Sequence, residues 1–507
     1  MAEGKGGGLS LVGLVLKVVW AAFVICTPVL GVWLASSIAT YLNGPVWAAV
    51  LSGALLFPVL PLAWEALGEA LRRRRETKRE ADRKRKALPY EPRRRFLTFF
   101  DRFILRCLAI NLAFLIGLCA LYPEKSFEAL ATRGDWMLEG RHDATSEAIR
   151  ERLFWGAERL EWLYLAVRDN PFEQFADTRD DTAPTPTVDP TPTPVPTPQP
   201  TPTPGGVEPP PTPVAAEGPA WPLPAAIHPV IGRIPEDARR SYRTVAEFIA
   251  TEERDPVQRV KALHDFVANH VAYDAPSYAA GRYPPQDAET VFRTGLGVCA
   301  GYAKLLAAMG KEIGIDLPYV VGDARTEGWE LSGEGHAWNA VEIEGRWYLI
   351  DATWDAGYVN GDTFTKSYRT EYLFTPPKIF GVTHLPNDDR WQLAEPPLSR
   401  GEFLRQPNLE PAFYAGGLSL LEPTRSQTTV PGAIDILIDN PQGLFLLATS
   451  HPKDGGASSR CQVEGGPKTK VRCEFPADGR YTVDLFAAKQ QVGSYPRVGE
   501  LAVNSDG

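Results

Sequence analysis

Residues 295–315 read GLGVCAGYAKLLAAMGKEIGI, and residues 335–355 read GHAWNAVEIEGRWYLIDATWD. In the first block Cys299 follows a Gly-rich turn and precedes apolar residues at helical spacing, so the block predicts a helix that begins at the cysteine. A thiol at a helix N-terminus sees the positive end of the backbone dipole, which favours the reactive thiolate. The second block predicts a hairpin with an alternating strand that starts at His336, a Glu-Gly-Arg turn and a return strand that ends at Asp351.

The two blocks together predict a Cys-His-Asp site for nucleophilic acyl chemistry. His336 follows Cys299 by 37 residues, and Asp351 follows His336 by 15. A hairpin brings Asp351 close enough to orient the imidazole, and a helix packed on that sheet presents Cys299 to the same ring. Taken singly, Cys299 would be read as an inert buried thiol and His336 as a core histidine. The three residues in this order favour a catalytic triad.

The same blocks carry a resemblance to a known family. The pattern G-x-C-x-G-Y-A at 297–303, then HAWN at 336–339 and DATWD at 351–355, resembles the transglutaminase-like superfamily, which has a papain-like fold. With YLF at 372–374 and HLP at 384–386, the wording is similar to the branch that contains the kyphoscoliosis peptidase and related bacterial proteins.

The resemblance covers roughly Ala226 to Leu421, less than half of the chain. It implies an α+β papain-like core in which Cys299 is the nucleophile, His336 the general base and Asp351 the residue that orients it, with no cofactor. Water as the acceptor would make a peptidase, which the resemblance favours, and a lysine amine would make a cross-linking transglutaminase. A non-catalytic binding module and an envelope scaffold also stay open. The chain has no D-x-[DN]-x-[DN]-G loop, which argues against a calcium-switched cross-linker.

Charge is distributed very unevenly along the 507 residues, whose net charge is −9. The run Arg72–Arg95 holds thirteen basic against four acidic residues, so the rest of the chain is strongly acidic. One basic island in an acidic chain argues against a nucleic-acid partner and indicates a membrane-topology signal instead.

Three apolar stretches, at about 9–40, 45–64 and 103–122, are long enough to span a bilayer. The positive-inside rule then places Arg72–Arg95 in the cytoplasm and everything after Tyr122 outside it. We therefore expect a multi-pass membrane protein whose catalytic domain is extracytoplasmic and acts on protein or peptide substrates in the cell envelope. The sequence leaves the oligomeric state open.

The remaining chain divides by composition into four segments. They are a juxtamembrane helical segment at 124–182, with one helix from Ser146 to Val167; an extended Thr-Pro linker at 183–224; the transglutaminase-like domain at 225–420; and an antiparallel β-sandwich at 421–507. Within the last segment, Cys461 and Cys473 are predicted to face each other across a hairpin and to form a disulfide.

Aromatic and acidic residues near the triad are candidate substrate contacts. Trp329 lies in a polar loop predicted from Asp323 to Gly335, which also carries three glutamates, and Trp338 and Trp354 flank the triad. The three glutamates, also candidates, are Glu327, Glu330 and Glu334. For Trp338 and Trp354, packing in the wall of the cleft is the preferred reading.

Three further histidines are predicted to be structural. His264 and His270 lie on one predicted helix, and His384 is predicted to pack as part of a buttress behind the core. No C-x-x-C pair or histidine cluster occurs, so the sequence predicts no metal site.

Overall fold

The computed structural model describes residues 11–42, 44–86, 89, 96–139, 141, 143–176, 218–329 and 333–506. Most of the predicted Thr-Pro linker, up to residue 217, lies outside the described residues. So do Glu330 and the end of the basic run at 87, 88 and 90–95.

Three apolar helical stretches come first. They are α1 (Leu11–Tyr41); a second stretch made of α2 (Val46–Ala54), a π-helical turn (Leu55–Val59) and α3 (Leu60–Arg85); and α4 (Phe99–Leu121). All three are long and apolar enough to cross a membrane, which confirms the predicted stretches at that level. The second stretch runs past its predicted end at residue 64 because the charged run consists of good helix formers with pairs such as Arg72–Glu76 (2.8 Å).

Two buried polar residues among these helices, Glu65 and Asn111, have ion-pair or hydrogen-bond partners. Glu65 on α3 pairs with Arg102 (2.6 Å) and Arg106 on α4. Asn111, buried on α4, donates to the carbonyl of Leu56 in the π-helical turn at 3.3 Å. Such contacts offset the cost of burying polar groups in an apolar setting.

The juxtamembrane segment folds onto the catalytic region. It forms α5 (Pro123–Arg133), α6 (Ala144–Glu158) and α7 (Glu161–Leu165), so the prediction of one helix from Ser146 to Val167 is wrong. The chain turns between α6 and α7, and this break lets Tyr164 turn inward to pack with Phe127, Phe403 and Leu404 in one buried cluster.

The catalytic region alternates short helices with strands. Its helices are α8 (Pro229–Arg233), α9 (Tyr242–Glu252), α10 (Pro256–His270), α11 (Ala275–Ala279), α12 (Ala288–Thr294), α13 (Cys299–Glu312), α14 (Ala352–Ala356), α15 (Pro377–Phe380) and α16 (Arg400–Arg405). Its strands are β1 (Ala272–Tyr273), β2 (Leu296–Gly297), β3 (Tyr319–Ala324), β4 (Glu334–Ile343), β5 (Arg346–Ile350), β6 (Gly357–Asn360), β7 (Thr363–Lys366), β8 (Leu373–Thr375) and β9 (His384–Pro386).

An antiparallel five-stranded sheet in the order β8-β5-β4-β3-β9 carries the site. Helix α13 packs on this sheet through Leu305, Leu306 and Met309, which share a core with Val341 and Ile350 of the strands. The β4–β5 hairpin pairs residue 339 with residue 350. The start of β4 and the end of β5 therefore lie side by side at the same end of the sheet. The sheet thus fixes where the helix presents its N-terminus.

The last segment consists of two sheets that share one core. Its elements are β10 (Asn408–Leu409), α17 (Pro411–Ala415), β11 (Ser419–Glu422), β12 (Thr428–Val430), β13 (Ala433–Asp439), β14 (Phe445–Pro452), β15 (Ser459–Arg460), β16 (Gln462–Glu464), β17 (Lys468–Glu474), β18 (Gly479–Ala488) and β19 (Arg497–Ser505). One sheet has the order β10-β19-β18-β14-β15 and the other β11-β13-β17-β16. The strands are antiparallel except β12, which pairs with β19 in parallel.

Candidate active site

The backbone before Cys299 is shaped to start a helix at the thiol. Helix α12 ends at Gly295, whose φ of 65° lies in the left-handed region that favours glycine. The amide of Val298 donates to the side-chain oxygen of buried Gln286 at 3.0 Å, and α13 begins at the next residue. Cys299 therefore sits at the first turn of a 14-residue helix, where unpaired amides and the helix dipole favour negative charge.

His336 and Asp351 meet where β4 begins and β5 ends. Nε2 of His336 and Oδ2 of Asp351 are 2.6 Å apart, and both side chains are buried. The other carboxylate oxygen accepts from the amides of Thr353 (2.8 Å) and Trp354 (3.2 Å), so Asp351 also caps α14. The short helix thereby fixes the carboxylate that faces the imidazole.

The three side chains form one electrostatic unit. Burial alone would lower the pKa of His336, but the carboxylate of Asp351 and then the nearby Cys299 sulfur raise it to about 10. Burial likewise works against ionisation of Asp351, yet His336 and His384 hold the pKa of its carboxyl well below the usual range. The geometry can therefore support nucleophilic attack by sulfur and proton transfer by the ring.

His384 belongs to the site. The prediction from the sequence treated it only as a packing residue and missed this role. Its Nε2 lies 3.2 Å from Oδ2 of Asp351, and its Nδ1 lies 2.9 Å from the hydroxyl of Thr383. Burial lowers the pKa of His384 to about 4, so the ring is neutral at physiological pH. The sequence signal that could have indicated this role was the histidine of the HLP block at 384–386. Its role depends on β9 pairing with β3, and local spacing does not encode that pairing.

The cluster of His336, Asp351 and His384 also has the composition of a metal site. Their donor atoms lie within 4.8 Å of one another. The same atoms make the hydrogen bonds just described, and a metal ion would have to replace the bond between His336 and Asp351. We therefore interpret the cluster as a hydrogen-bond network.

The three candidate tryptophans lie in different places. Trp338 is 1% exposed and packs behind His336, their ring centres 5.9 Å apart. Trp354 contacts the rings of both His336 and His384, at 5.7 and 4.5 Å. Trp329 lies against the C-terminal sheet, where its Nε1 donates to the carbonyl of Tyr481 at 3.3 Å. Trp329 thus contributes to domain packing, and Trp338 to the wall behind the triad.

The predicted loop from Asp323 to Gly335 is shorter than expected, because β3 includes Asp323 and β4 begins at Glu334. Glu334 accepts a hydrogen bond from Tyr278 at 2.6 Å. Tyr278 packs in the aromatic cluster around Cys299, which places Glu334 near the site. Glu327 instead pairs with Lys453 of the C-terminal segment at 2.6 Å.

A second buried network supports the helix that Asp351 caps. His264 on α10 lies between the carboxylates of Asp265 (3.1 Å) and Asp355 (3.2 Å), and the three residues are fully buried. Burial alone would lower the pKa of His264, but the two carboxylates raise it to about 9. Since Asp355 lies in α14, this imidazolium ties α10 to the turn that carries Asp351.

Comparison with known families identifies this region. Residues 243–352 match the family model of the Transglutaminase-like superfamily. This stretch contains Cys299, His336 and Asp351, so the chain carries a transglutaminase-like domain, and the resemblance drawn from the sequence blocks is confirmed.

Individual relatives share this region. The kyphoscoliosis peptidases of Mus musculus and Homo sapiens are each 32% identical to the chain over 248 residues, which are 46% of this chain and 36% of the relative. Hillarin of Drosophila melanogaster is 23% identical over 181 residues, 30% of this chain and 22% of Hillarin. A crystal structure described as that of a TGase is 26% identical and covers 26% of this chain and 34% of the solved chain, with a TM-score of 0.20. The chain thus spans little more than a third of the length of the kyphoscoliosis peptidases it matches.

Proposed function

We propose that this chain is a membrane-anchored thiol enzyme that hydrolyses amide bonds of protein or peptide substrates outside the cytoplasm. The single observation that carries the proposal is the 2.6 Å pairing of His336 with Asp351 beside Cys299, whose sulfur acts on the pKa of the same ring. The peptidase names of the relatives favour hydrolysis over cross-linking. The extracytoplasmic location follows from the basic run between the second and third apolar helices.

Each residue has one task in the reaction. The thiolate of Cys299 attacks the amide carbonyl carbon, and the protonated ring of His336 gives its proton to the leaving nitrogen as the C–N bond breaks. The amine departs and leaves a thioester on Cys299. His336 then takes a proton from water, the hydroxide attacks the thioester, and collapse of the adduct releases the carboxylic acid and restores the thiolate. Asp351 holds the ring and stabilises its positive charge.

The carbonyl oxygen gains negative charge during both attacks. The backbone N–H of Cys299, at the first turn of α13, is the proposed donor to this oxyanion. The helix dipole has the sign needed to stabilise the same charge.

The proposal is tested by comparing envelope proteins from cells that produce native Cys299 or the Cys299→Ala variant at equal levels. Hydrolysis predicts protein termini that are present only with Cys299. Glutamyl-lysine cross-links lost in Cys299→Ala, without new termini, would contradict hydrolysis and support a transglutaminase.

A separate labelling experiment distinguishes an enzyme from a binding module that keeps the fold. An electrophile that mimics a peptide amide should modify Cys299 in the purified full chain, and His336→Ala should slow the reaction. Equal reaction with and without His336 would oppose a catalytic role for the triad.

A further inference from the structure

The chain between the juxtamembrane helices and the catalytic region covers the proposed nucleophile. We call residues 168–176, which read RDNPFEQFA, the cover segment. Phe172 in this segment is fully buried in one cluster with Val298, Cys299, Ala300 and Ala337. The exposed fraction of Cys299 is 0%. A residue from outside the catalytic core thus fills space directly beside the thiol.

Specific polar contacts hold the cover segment in place. The side-chain amide of Asn170 donates to the carbonyl of Gly322 at 2.8 Å. The hydroxyl of Tyr319 donates to the carbonyl of Phe172 at 3.0 Å. The carbonyl of Gly322 and the hydroxyl of Tyr319 both belong to β3, so the segment is bound along that strand.

Two further contacts hold the cover segment at its start and just after Phe172. Arg168 forms an ion pair with Asp323, a fully buried carboxylate on β3. Glu173 accepts from the side-chain amide of Asn387 at 2.7 Å. The segment is therefore bound at its start and through its centre, from Arg168 to Glu173.

The space that Phe172 fills is lined by aromatic side chains. Its ring lies 5.5 Å from that of Tyr283, which also meets Phe175 at 6.3 Å. Tyr273, Tyr278 and Tyr319 pack against the same cluster. A pocket of this composition, placed beside the nucleophile, suits an aromatic side chain on an otherwise polar peptide.

We propose that the cover segment is an intramolecular inhibitor bound in the substrate cleft, and that Phe172 occupies a subsite for an aromatic side chain of the peptide substrate. This inference rests on the proposed function, because amide attack requires the carbonyl carbon to come within about 3–3.5 Å of the sulfur. Since Cys299 is fully buried in this arrangement, catalysis takes place from the fraction of chains in which the cover segment has left. A competing peptide with an aromatic residue gains the contacts that Phe172 releases.

The cover is tested by the rate at which iodoacetamide alkylates Cys299 in the full chain in detergent, with each cysteine resolved by peptide mass spectrometry. Phe172→Ala should raise the rate at Cys299 by about tenfold or more, because it increases the open population. Trp162→Ala is the matched control, since this exposed aromatic residue on α7 lies in the same juxtamembrane region. It should leave the rate at the native value.

A second variant keeps the test decisive if Phe172→Ala disturbs folding, which would show as a lowered melting temperature followed by tryptophan fluorescence. Asn170→Ala removes the anchor to Gly322 and the acceptor of the Phe172 amide, and it should also speed alkylation at Cys299 while the melting temperature stays close to the native value. If Cys299 is alkylated at the native rate in the folded variants, the proposal that residues 168–176 cover this thiol is overturned.

The aromatic subsite is tested with two nine-residue peptides added to the Phe172→Ala chain. The peptide of residues 168–176 should slow alkylation of Cys299, and the same peptide carrying Phe172→Ala should not. Equal protection by both peptides, or by neither, would overturn the subsite. Alkylation requires no turnover, so these results stand apart from the proposed function, which fails only if amide cleavage is absent from the opened chain.

Discussion

At the scale of single residues, Asp351 organises the candidate site. Its two oxygens accept from two backbone amides and face two imidazoles. A carboxylate with this many partners is fixed in orientation and stabilised as an anion. The neutral ring of His384 supplies one of these contacts from the edge strand β9. We therefore regard His384 as a positioning residue that acts on His336 through Asp351.

A pair of His384 variants tests this role. His384→Leu removes the donor to Asp351 and should raise the pKa of that carboxyl, so the acid-side loss of Cys299 alkylation should move to higher pH by up to about one pH unit. His384→Gln retains an N–H donor and should stay close to the native profile. The measurement is the alkylation rate of Cys299 across pH in the full chain. A shared native profile in both variants would assign His384 to packing alone.

The buried imidazolium of His264 makes stability depend on pH. The folded chain keeps this proton until the pH reaches the pKa of about 9, whereas a histidine in the unfolded chain loses it at a pH of about 6.5. Unfolding between these values releases a proton, so stability falls as pH rises, by up to roughly 3 kcal/mol. His336, whose pKa is raised to about 10, acts in the same direction.

Thermal unfolding followed by tryptophan fluorescence should therefore give a lower melting temperature at pH 9 than at pH 7. His264→Gln should flatten this slope. His451→Gln, which changes a partly exposed histidine on β14, should keep it. A melting temperature that rises over this range would show that the two buried rings are not protonated in the folded chain.

At the scale of elements, local patterns and long-range contacts differ in what the sequence can predict. A helix beginning at Cys299 and a hairpin carrying His336 are visible locally, because a Gly-rich turn, helical spacing and strand alternation each act over a few residues. The placement of His384 depends on pairing between β9 and β3, and that of Phe172 on a contact more than 100 residues from Cys299 along the chain. Periodicity carries no signal for either.

The C-terminal hairpin shows the same distinction on a smaller scale. Register pairs residue 462 with residue 472, which sets Cys461 opposite Cys473, and the two are joined by a disulfide with a Cα–Cα distance of 4.5 Å. The turn residues and strand spacing sufficed to predict this neighbourhood, because the whole hairpin is local. The parallel pairing of β12 with β19 was not predicted, since it joins residues more than 70 positions apart.

Removing the disulfide should lower the stability of the segment. The bond closes a loop with a sequence separation of 12, so in the chain-entropy model it contributes about 3 kcal/mol. The variant with both Cys461→Ser and Cys473→Ser should melt several degrees lower than the native chain. Thiol counting on the unreduced full chain should find Cys299 free and this pair blocked. Alkylation of both cysteines without reductant would refute the bridge.

At the scale of the whole molecule, the apolar helices and the catalytic region are tied together. Arg133 on α5 donates to the carbonyl of Gln427, and Arg405 on α16 donates to the carbonyl of Ala131 at 2.6 Å each. These contacts join the juxtamembrane helices directly to the catalytic and C-terminal segments. The cover segment follows the same helices, so the position of the apolar helices and access to Cys299 are structurally connected.

The membrane topology makes a direct prediction. A reporter fused after Arg85 should be active only in the cytoplasm, and one fused after Gly206 only outside it, because the proposed topology keeps the basic run on the cytoplasmic side. Each site is tested with two reporters, one active only in the cytoplasm and one active only outside it. The inactive reporter at a site is the control for the active one. The opposite pattern at either fusion would overturn the three-span arrangement.

The central claim is that Cys299 transfers an acyl group from an amide to water. The most direct measurement incubates the purified full chain with native envelope proteins in water enriched in oxygen-18 and analyses the products by mass spectrometry. We predict new C-terminal carboxylates that contain oxygen-18 with native Cys299, and none with Cys299→Ala. New labelled termini in equal amounts from both chains, or none from either the native chain or the opened Phe172→Ala chain, would contradict the account.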